Sequence, residues 1–448
     1  MEKITHKSTF IAYYIDILSK CVERRSIKYA FKDFYSLECD DNTERSGDIM
    51  TTDTQLPRRG YAWFVLFMMV LLYFINYVDR TLASALLEKI KETYQVSDTY
   101  MGFVIGPAFA FIYCVAAIPI ARFADRSNRV KIIAAGAVVW SLFTMMSGLA
   151  NSPGVFAISR FGVGVGEAAF LAPAYSLLSD YFPPKRRAFA LAIMNLGVYF
   201  GAAFGSIGGT MFAATYDWQT TFLLLGAPGI ILAALTLILV KEPERGRLDP
   251  ESKSEAAQEK FSVLLKTLLA TPTFRYVTIA AVFGGFSSIA FGSWAVAMFE
   301  RIFEISNQSA GARYGTAALL SGMCGVLLMG FLCDRLSKRS PRAPYILSSF
   351  GLLGFTLITI AMCFSKDVGL ATALVYPSSL MGAGWVVAIY AALQDLLPAK
   401  LRATATSIFA FGLTFSGLVV GVMAVGWAND FFSAKYGADA IRYSMAIT

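Results

Sequence analysis

Histidine is nearly missing from this chain. Among 448 residues there is only His6, in a polar leading stretch, so proton chemistry in the apolar remainder falls to carboxylates. Charge is scarce as well. Asp, Glu, Lys and Arg make up 16% of the residues, against about 25% in soluble domains. The six cysteines (Cys21, Cys39, Cys114, Cys324, Cys333 and Cys363) form no CxxC pair and have no His beside them. Neither a disulfide nor a metal site is expected. There is no GxxxxGK[ST] loop, which argues against an ATP-driven pump. There is no Ser-centred elbow either, so neither enzyme chemistry nor a cofactor is expected. Residues 1–60 lack a signal-peptide apolar core and cleavage site.

What is abundant is apolar: 56% of the residues are hydrophobic and the mean hydropathy is +0.56. The chain reads as an all-α integral membrane protein. Apolar runs fall roughly at 61–87, 100–122, 130–150, 154–178, 188–213 and 220–240, then at 274–300, 312–333, 344–364, 369–394 and 401–428. Each is near the roughly 20 residues that cross a bilayer as a helix. A twelfth run begins near Ala438 and meets Thr448, so the last helix is expected to be truncated. Residues 1–60 form a polar N-terminal extension. Within it Met50 opens a short lead, MTTDTQLPRRG, which reads either as an alternative start or as the end of a cytoplasmic tail.

Lys and Arg set the orientation. Arg58 and Arg59 precede the first run; Arg126, Arg129 and Lys131 follow the second; Lys185, Arg186 and Arg187 follow the fourth. Arg335, Lys338 and Arg339 follow the eighth, and Lys400 and Arg402 the tenth. The net charge of +8 is therefore positive-inside bias rather than a nucleic-acid surface. The N-terminus and the central loop are expected in the cytoplasm, in a bacterial inner membrane. The domains expected are a six-helix bundle over 61–241, a cytoplasmic linker over 242–273 and a second bundle over 274–448, its last helix incomplete.

The loop ARFADRSNRVK (Ala121–Lys131) organises the chain. It recurs as GFLCDRLSKR (Gly330–Arg339), with Asp125-Arg126 matching Asp334-Arg335 at a separation of 209 residues. Asp180-Tyr-Phe-Pro-Pro-Lys-Arg-Arg-Ala188 recurs from Asp395 to Ala403 at a separation of 215 residues. Two repeats at nearly one offset mean duplication, and a duplicated bundle places a substrate site between its halves near the membrane midplane. The small-x-x-x-Asp-Arg-x-x-Arg/Lys pattern resembles the signature loop of the major facilitator superfamily. In that family Gly usually stands where this chain has Ala121 and Asn128. The resemblance implies two pseudo-symmetric six-helix bundles, and it implies conformational gating by Asp125, Arg126, Arg129, Asp334 and Arg335, with Asp125 at a contact between the halves.

Charges inside spans are expensive and mark pathways. Asp79, Arg160 and Glu167 are such charges. Their counterparts at the repeat offsets are Ser288, Val375 and Gly382, so the second half is built without them and a role in coupling is expected. Rise along the helix brings Asp79 and Arg160 to compatible depths, so the two are expected to pair, with Glu167 two turns deeper and Arg80 as a neighbour. The pair would be a proton site at Asp79 with Arg160 as its electrostatic switch and as the contact for an anionic headgroup. Asn76, Tyr77, Tyr73 and Phe74 are candidates to line the cavity nearby. Arg160-Phe-Gly-Val-Gly-Val-Gly-Glu-Ala168 also resembles the superfamily's RxxxGxGxA motif, whose Arg is associated with proton coupling. The glycines at 197, 201, 205, 208 and 209 read as a flat packing face. Asn307-Gln-Ser309 is a sequon expected on an outer loop.

Asn76-Tyr-Val-Asp-Arg80, the signature loop and Ser159–Ala168 together resemble the spinster family of lipid transporters, over essentially all of the chain from Tyr61 on. That resemblance implies proton-linked movement of a lysolipid or sphingoid-type amphiphile by a monomer. Organic-anion and sugar-acid symporters of the same superfamily share the Asn-Tyr-x-Asp-Arg first helix, so they stand as the alternative. A channel or a membrane enzyme fits the residues less well.

Overall fold

The computed structural model describes residues 59–246, 248, 261–396 and 399–447. The leading extension through residue 58 and the middle of the linker lie outside them, as do the side chains of Asp395, Lys400 and Arg402.

The first half holds α1 (Arg59–Ala85), the short α2 (Leu87–Tyr94), α3 (Asp98–Ile105), α4 (Pro107–Ala124) and α5 (Arg129–Gly148). It continues with α6 (Pro153–Ala168), α7 (Leu171–Tyr181), α8 (Pro184–Thr215) and α9 (Trp218–Leu239). The second half holds α10 (Phe261–Ala270), α11 (Pro272–Phe303), α12 (Asn307–Ser337), α13 (Ala343–Cys363) and α14 (Val368–Leu396). It ends with α15 (Ala399–Thr414), a π-helical stretch (Phe415–Gly421), α16 (Val422–Tyr436) and α17 (Ala440–Ile447). Eleven of the described helical runs are long and apolar enough to cross a membrane, in the positions the apolar pattern predicts. α17 turns back onto α11, α13 and α16, and Arg442 Nη1 donates to the carbonyls of Cys363 and Ser365 at 2.6 and 2.7 Å.

Helix starts follow the local sequence. Ser97, Asn128, Ser152, Asp217 and Ser306 each accept from a backbone N–H in the first turn of the helix they precede, which satisfies one of the donors that a helix leaves open. Asn128, where the signature pattern usually has Gly, is thus the cap of α5.

Two crossings are broken. The second changes direction at Gly106, between α3 and α4, where Pro107 begins the new helix. The fourth breaks at Ala169 and Phe170, between α6 and α7. The glycines of α8 do what the spacing predicts. Gly197, Gly201 and Gly205 face the backbone of α1 at Val70, Phe74 and Val78, so those two helices lie closer than side chains would allow.

The halves meet in two seams. In one, α8 packs on α12, with Gly311 and Gly315 against Ser206, Thr210 and Ile207. In the other, α3 packs on α16, with Gly102 against Val422 and Gly426 against the Asp98 carbonyl. Both seams are sealed at the end remote from the basic loops. Arg301 of α11 bonds Asp98 and Glu88 there. Asp430 of α16 accepts from the N–H groups of Asp98 and Thr99 at 3.0 and 2.8 Å, a carboxylate at a helix N-terminus. Asn307 Nδ2 donates to the Ala85 carbonyl at 2.8 Å and to Glu300 at 2.7 Å. Asn307 is therefore buried in a seam and not displayed on a loop, which corrects the expectation for its sequon.

Candidate functional site: a buried charge cluster behind a cavity between the halves

A cavity of about 200 Å³ lies between the halves. Arg80, Thr81, Ser84 and Ala85 of α1 form one wall; Ile289, Gly292, Ser293 and Val296 of α11 face them. α3 and α4 add Ile105 and Phe109, and the π-helical stretch adds Leu418, whose carbonyl stands against Gly106. The broken second crossing and the π turn of the eleventh thus meet at the cavity, where such irregularities tend to mark function. The lining is mostly apolar with several hydroxyls, and its single charged side chain is Arg80.

Arg80 is held from behind. Its Nη2 and Nε donate to Glu167 Oε2 at 2.5 and 3.1 Å. Its guanidinium lies 4.8 Å from the Tyr77 ring centroid, 5.0 Å from Phe109 and 5.1 Å from Tyr113, within cation–π range. The Arg160 guanidinium shares the Phe109 ring at 5.5 Å. The glycines of α6 make this possible. Gly164 meets the Phe109 carbonyl, and Gly166 the Trp140 amide, so α6 is wedged between α4 and α5 and delivers Arg160 and Glu167 to the same depth as α1.

The expected Asp79–Arg160 ion pair does not form. Asp79 is fully buried, and the hydroxyl within reach of its carboxylate is that of Thr144. Arg160 is 1% exposed, and its Nε and Nη1 are without partners. The pair that does form is Arg80–Glu167. The reason is rotation: neighbours on a helix differ by about 100° in direction, so Arg80 turns to the cavity and Glu167 while Asp79 turns into the bundle. There it faces Thr144 of α5 and Arg160 and Glu167 of α6.

The aromatic assignments change in the same way. Tyr73 is buried against Tyr77 and Phe170, Phe74 packs on Phe204, and Asn76 is 2% exposed beside Glu167. Of Asn76, Tyr77, Tyr73 and Arg160, none is on the wall of this cavity. Arg80, and not Arg160, is the charged side chain on this cavity wall. Phe109 was not legible from the sequence, because one Phe among 36 carries no signal until Arg80 and Arg160 are seen to share it.

At the basic end, Asp125, Arg126, Asp334 and Arg335 are exposed, and neither Asp125 nor Asp334 makes an ion pair among the described residues. Among the described residues no ion pair ties Asp125 to the second half; its carbonyl accepts from Arg245, which also bonds the Ala124 and Ser127 carbonyls. Arg129 behaves differently. It is 2% exposed and bonds Asp180 at 2.5 Å and Glu242 at 2.6 Å, and the Gly246 N–H donates to Asp180 at 3.0 Å. The signature loop, the Asp180 motif and the start of the linker are one docked unit. Cys114, Cys324, Cys333 and Cys363 form no disulfide among the described residues; Cys21 and Cys39 lie outside them.

Two helical bundles with a cavity between them, and charge buried in one bundle at that cavity, define a membrane transporter rather than an enzyme. The comparisons agree. Residues 69–422 match the Major Facilitator Superfamily, and the chain belongs to it. It is 30% identical over 396 residues to an MFS-type efflux pump of Mycolicibacterium smegmatis, covering 88% of this chain and 90% of that protein. It is 25% identical over 401 residues to protein spinster homolog 1 of Xenopus laevis, covering 84% and 75%. A sphingosine-1-phosphate transporter of Danio rerio is 23% identical over 385 residues, covering 82% and 76%. Among solved structures, a bacterial homolog of the human lysosomal transporter spinster, inward-facing and unoccupied, superposes with a TM-score of 0.80 at 27% identity. That match covers 87% of this chain and 94% of the other. The chain is a superfamily transporter related to spinster.

Proposed function

We propose that this protein moves an anionic amphiphile, of the lysolipid or sphingoid-phosphate type, across a bacterial inner membrane by proton-coupled alternating access. The observation that carries the reading is Arg80: the one charged side chain on the cavity wall, fixed by Glu167 and three aromatic rings. A guanidinium suits a phosphate or carboxylate headgroup, and the apolar lining suits a chain. The name of the Danio rerio relative supports a phosphate-bearing amphiphile. Seams sealed at the end remote from the basic loops fit an inward-facing state with the N-terminus in the cytoplasm. In this reading the halves at 61–241 and 274–448 rock as a monomer, joined by a linker at 242–273. Asp125, Arg126, Arg129, Asp334 and Arg335 gate the cytoplasmic side once the halves swing together.

Coupling follows from charge. Asp79, Glu167, Arg80 and Arg160 sum to zero. An anion on Arg80 weakens its hold on Glu167, and a proton on Asp79 or Glu167 restores neutrality in a site that tolerates no net charge. Substrate and proton then load together. In this reading Asp79 is the proton site, Arg160 its electrostatic switch and Glu167 the second carboxylate that can carry the proton.

The hydroxyls of Thr81, Ser84, Ser206 and Ser293 on a cavity of this size also favour a compact organic anion as the alternative cargo. Binding to purified protein separates the two. A single-chain phosphate amphiphile should bind, and Arg80→Ala should weaken it by roughly 10- to 150-fold, the about 1.5–3 kcal/mol of a charge-assisted contact. The uncharged alcohol of the same chain should bind wild type and Arg80→Ala alike. Tight binding of sugar acids without any for the amphiphile would move the assignment to the alternative cargo. Unchanged amphiphile binding in Arg80→Ala would remove Arg80 from the site.

A further inference from the structure

The cavity wall carries one cation and five hydroxyls, and the hydroxyls are not equally free. Thr81 and Ser293 donate back to the Tyr77 and Ile289 carbonyls at 2.7 and 3.0 Å. Ser84 and Ser206 belong to the first half, as Arg80 does. The fifth is Tyr314 of α12, in the second half. Its ring is fixed from behind: it meets Phe291 edge-on at 6.3 Å, and Phe291 meets Phe355 at 5.7 Å. Its hydroxyl oxygen lies against Gly292 of α11, 2.9 Å from where a β-carbon there would stand. The missing side chain at 292 is what lets the hydroxyl lie on the cavity wall. That hydroxyl has no hydrogen-bond partner among the described residues. A phenol with an apolar body and an open hydroxyl is a ready donor to a ligand. On the second-half wall it is the one uncommitted side-chain donor, since the other described lining residues there are Ser293 and apolar ones.

Arg80, on the facing wall, has few donors left. Of the five N–H groups of a guanidinium, two go to Glu167, and the Tyr113 hydroxyl is within reach of the group as well. Two N–H groups remain for a ligand, enough for both oxygens of a carboxylate. A phosphate, phosphonate or sulfonate headgroup is tetrahedral and brings a third terminal oxygen. With two oxygens on Arg80, the third is aimed away from the guanidinium, across a cavity of only about 200 Å³.

We propose that Tyr314 reads the headgroup from the second half: it donates to the third oxygen of a tetrahedral anion whose other two lie on Arg80, and so selects phosphate- and sulfonate-type headgroups over carboxylates. The contact also ties the halves together through the cargo. α1 supplies the cation and α12 the hydroxyl, so a three-oxygen headgroup bridges the two bundles, while a carboxylate is held by the first alone. This deepens the reading that an anion binds at Arg80 and rests on it.

Binding to purified protein in lipid nanodiscs is measured for three probes of one chain length: decyl phosphate, decylsulfonate and decanoate. The sulfonate matches the carboxylate in charge and the phosphate in terminal oxygens. Each variant is compared with wild type for the same probe, so partition into lipid cancels. Tyr314→Phe removes a single oxygen atom. It is expected to weaken the phosphate and the sulfonate roughly tenfold and to leave decanoate unchanged, which also reports a folded protein. Arg80→Ala is expected to weaken all three. If Tyr314→Phe weakens none of the probes, or all three alike, while Arg80→Ala weakens them all, the role of Tyr314 is overturned and the anion site at Arg80 stands. A loss in Tyr314→Phe confined to the phosphate means that charge and not oxygen number is read, and overturns the proposed selection. If wild type binds none of the probes, or Arg80→Ala leaves all three unchanged, the anion site at Arg80 falls and this inference with it.

Discussion

Replacing Arg301 by Ala should open the seam that this structure holds shut. Arg301 Nε bonds Glu88 at 2.9 Å; Nη1 and Nη2 bond Asp98 at 2.5 and 2.8 Å. These bonds cross from the second half to the first, so their loss changes the balance between conformations more than the stability of either bundle. Asp98 is 3% exposed, and stripping one partner from a buried pair costs about 3–5 kcal/mol. Two features reduce that. Lys91 stays on Asp98 at 2.6 Å, and Arg301 and Glu88 are near 15% exposed, so water takes over part of the interaction. About 2–3 kcal/mol remains, a shift of roughly 30- to 150-fold toward the state open at this end. Arg301→Lys keeps the charge without the fork and should fall between. Spin labels at exposed Glu92 and Lys435, in a background with the exposed Cys324 replaced, report the separation across the seam by pulsed dipolar spectroscopy. A long-distance population should appear in Arg301→Ala. A distribution identical to that of the unsubstituted protein would refute the assignment of Arg301 as a latch.

Other consequences are sharp enough to check. Gly201 lies against the Phe74 carbonyl, so Gly201→Leu forces α1 and α8 apart and should cost about 1–3 kcal/mol or more, read as a lower melting temperature in detergent. Gly154 and Gly60 have nothing near them, and Ala at either should leave the melt unchanged. Arg129→Ala removes the cation that Asp180 and Glu242 share, while the Gly246 and Val130 N–H groups stay on them, so it should destabilise by about 2–3 kcal/mol, visible as loss of monodisperse protein on size exclusion. Asp125→Asn, at an exposed position, should leave the melt within about 0.5 kcal/mol of wild type, while slowing exchange between the two conformations measured with the same spin labels.

Much of the fold is legible in the sequence because membrane physics writes it plainly. Runs of apolar residues mark the crossings, alternate basic loops orient them, and Asp125 and Asp334 date them to one duplication. The site is legible only in part. Charges that are costly in lipid announce themselves, which is how Asp79, Arg160 and Glu167 stand out. Their pairing does not follow from depth alone. Asp79 and Arg80 are adjacent, and only the rotation of α1, fixed by the glycines of α8 packing on its far side, decides which of them meets Glu167. Arg129 shows the same limit. Its spacing reads as a loop cation, yet it is buried, because Asp180 and Glu242 come from two other segments 51 and 113 residues away. The Arg301 seam is invisible to any local pattern, since its partners are more than 200 residues distant.

The measurement closest to the core of this mechanism is substrate accumulation by reconstituted Asp79→Asn under an imposed pH gradient, beside ligand-driven exchange in the same vesicles. If Asp79 carries the coupling ion, accumulation against the substrate gradient disappears while exchange continues, because the cavity and Arg80 remain intact. If the variant still concentrates its substrate when the proton gradient is applied, Asp79 does not couple transport to protons.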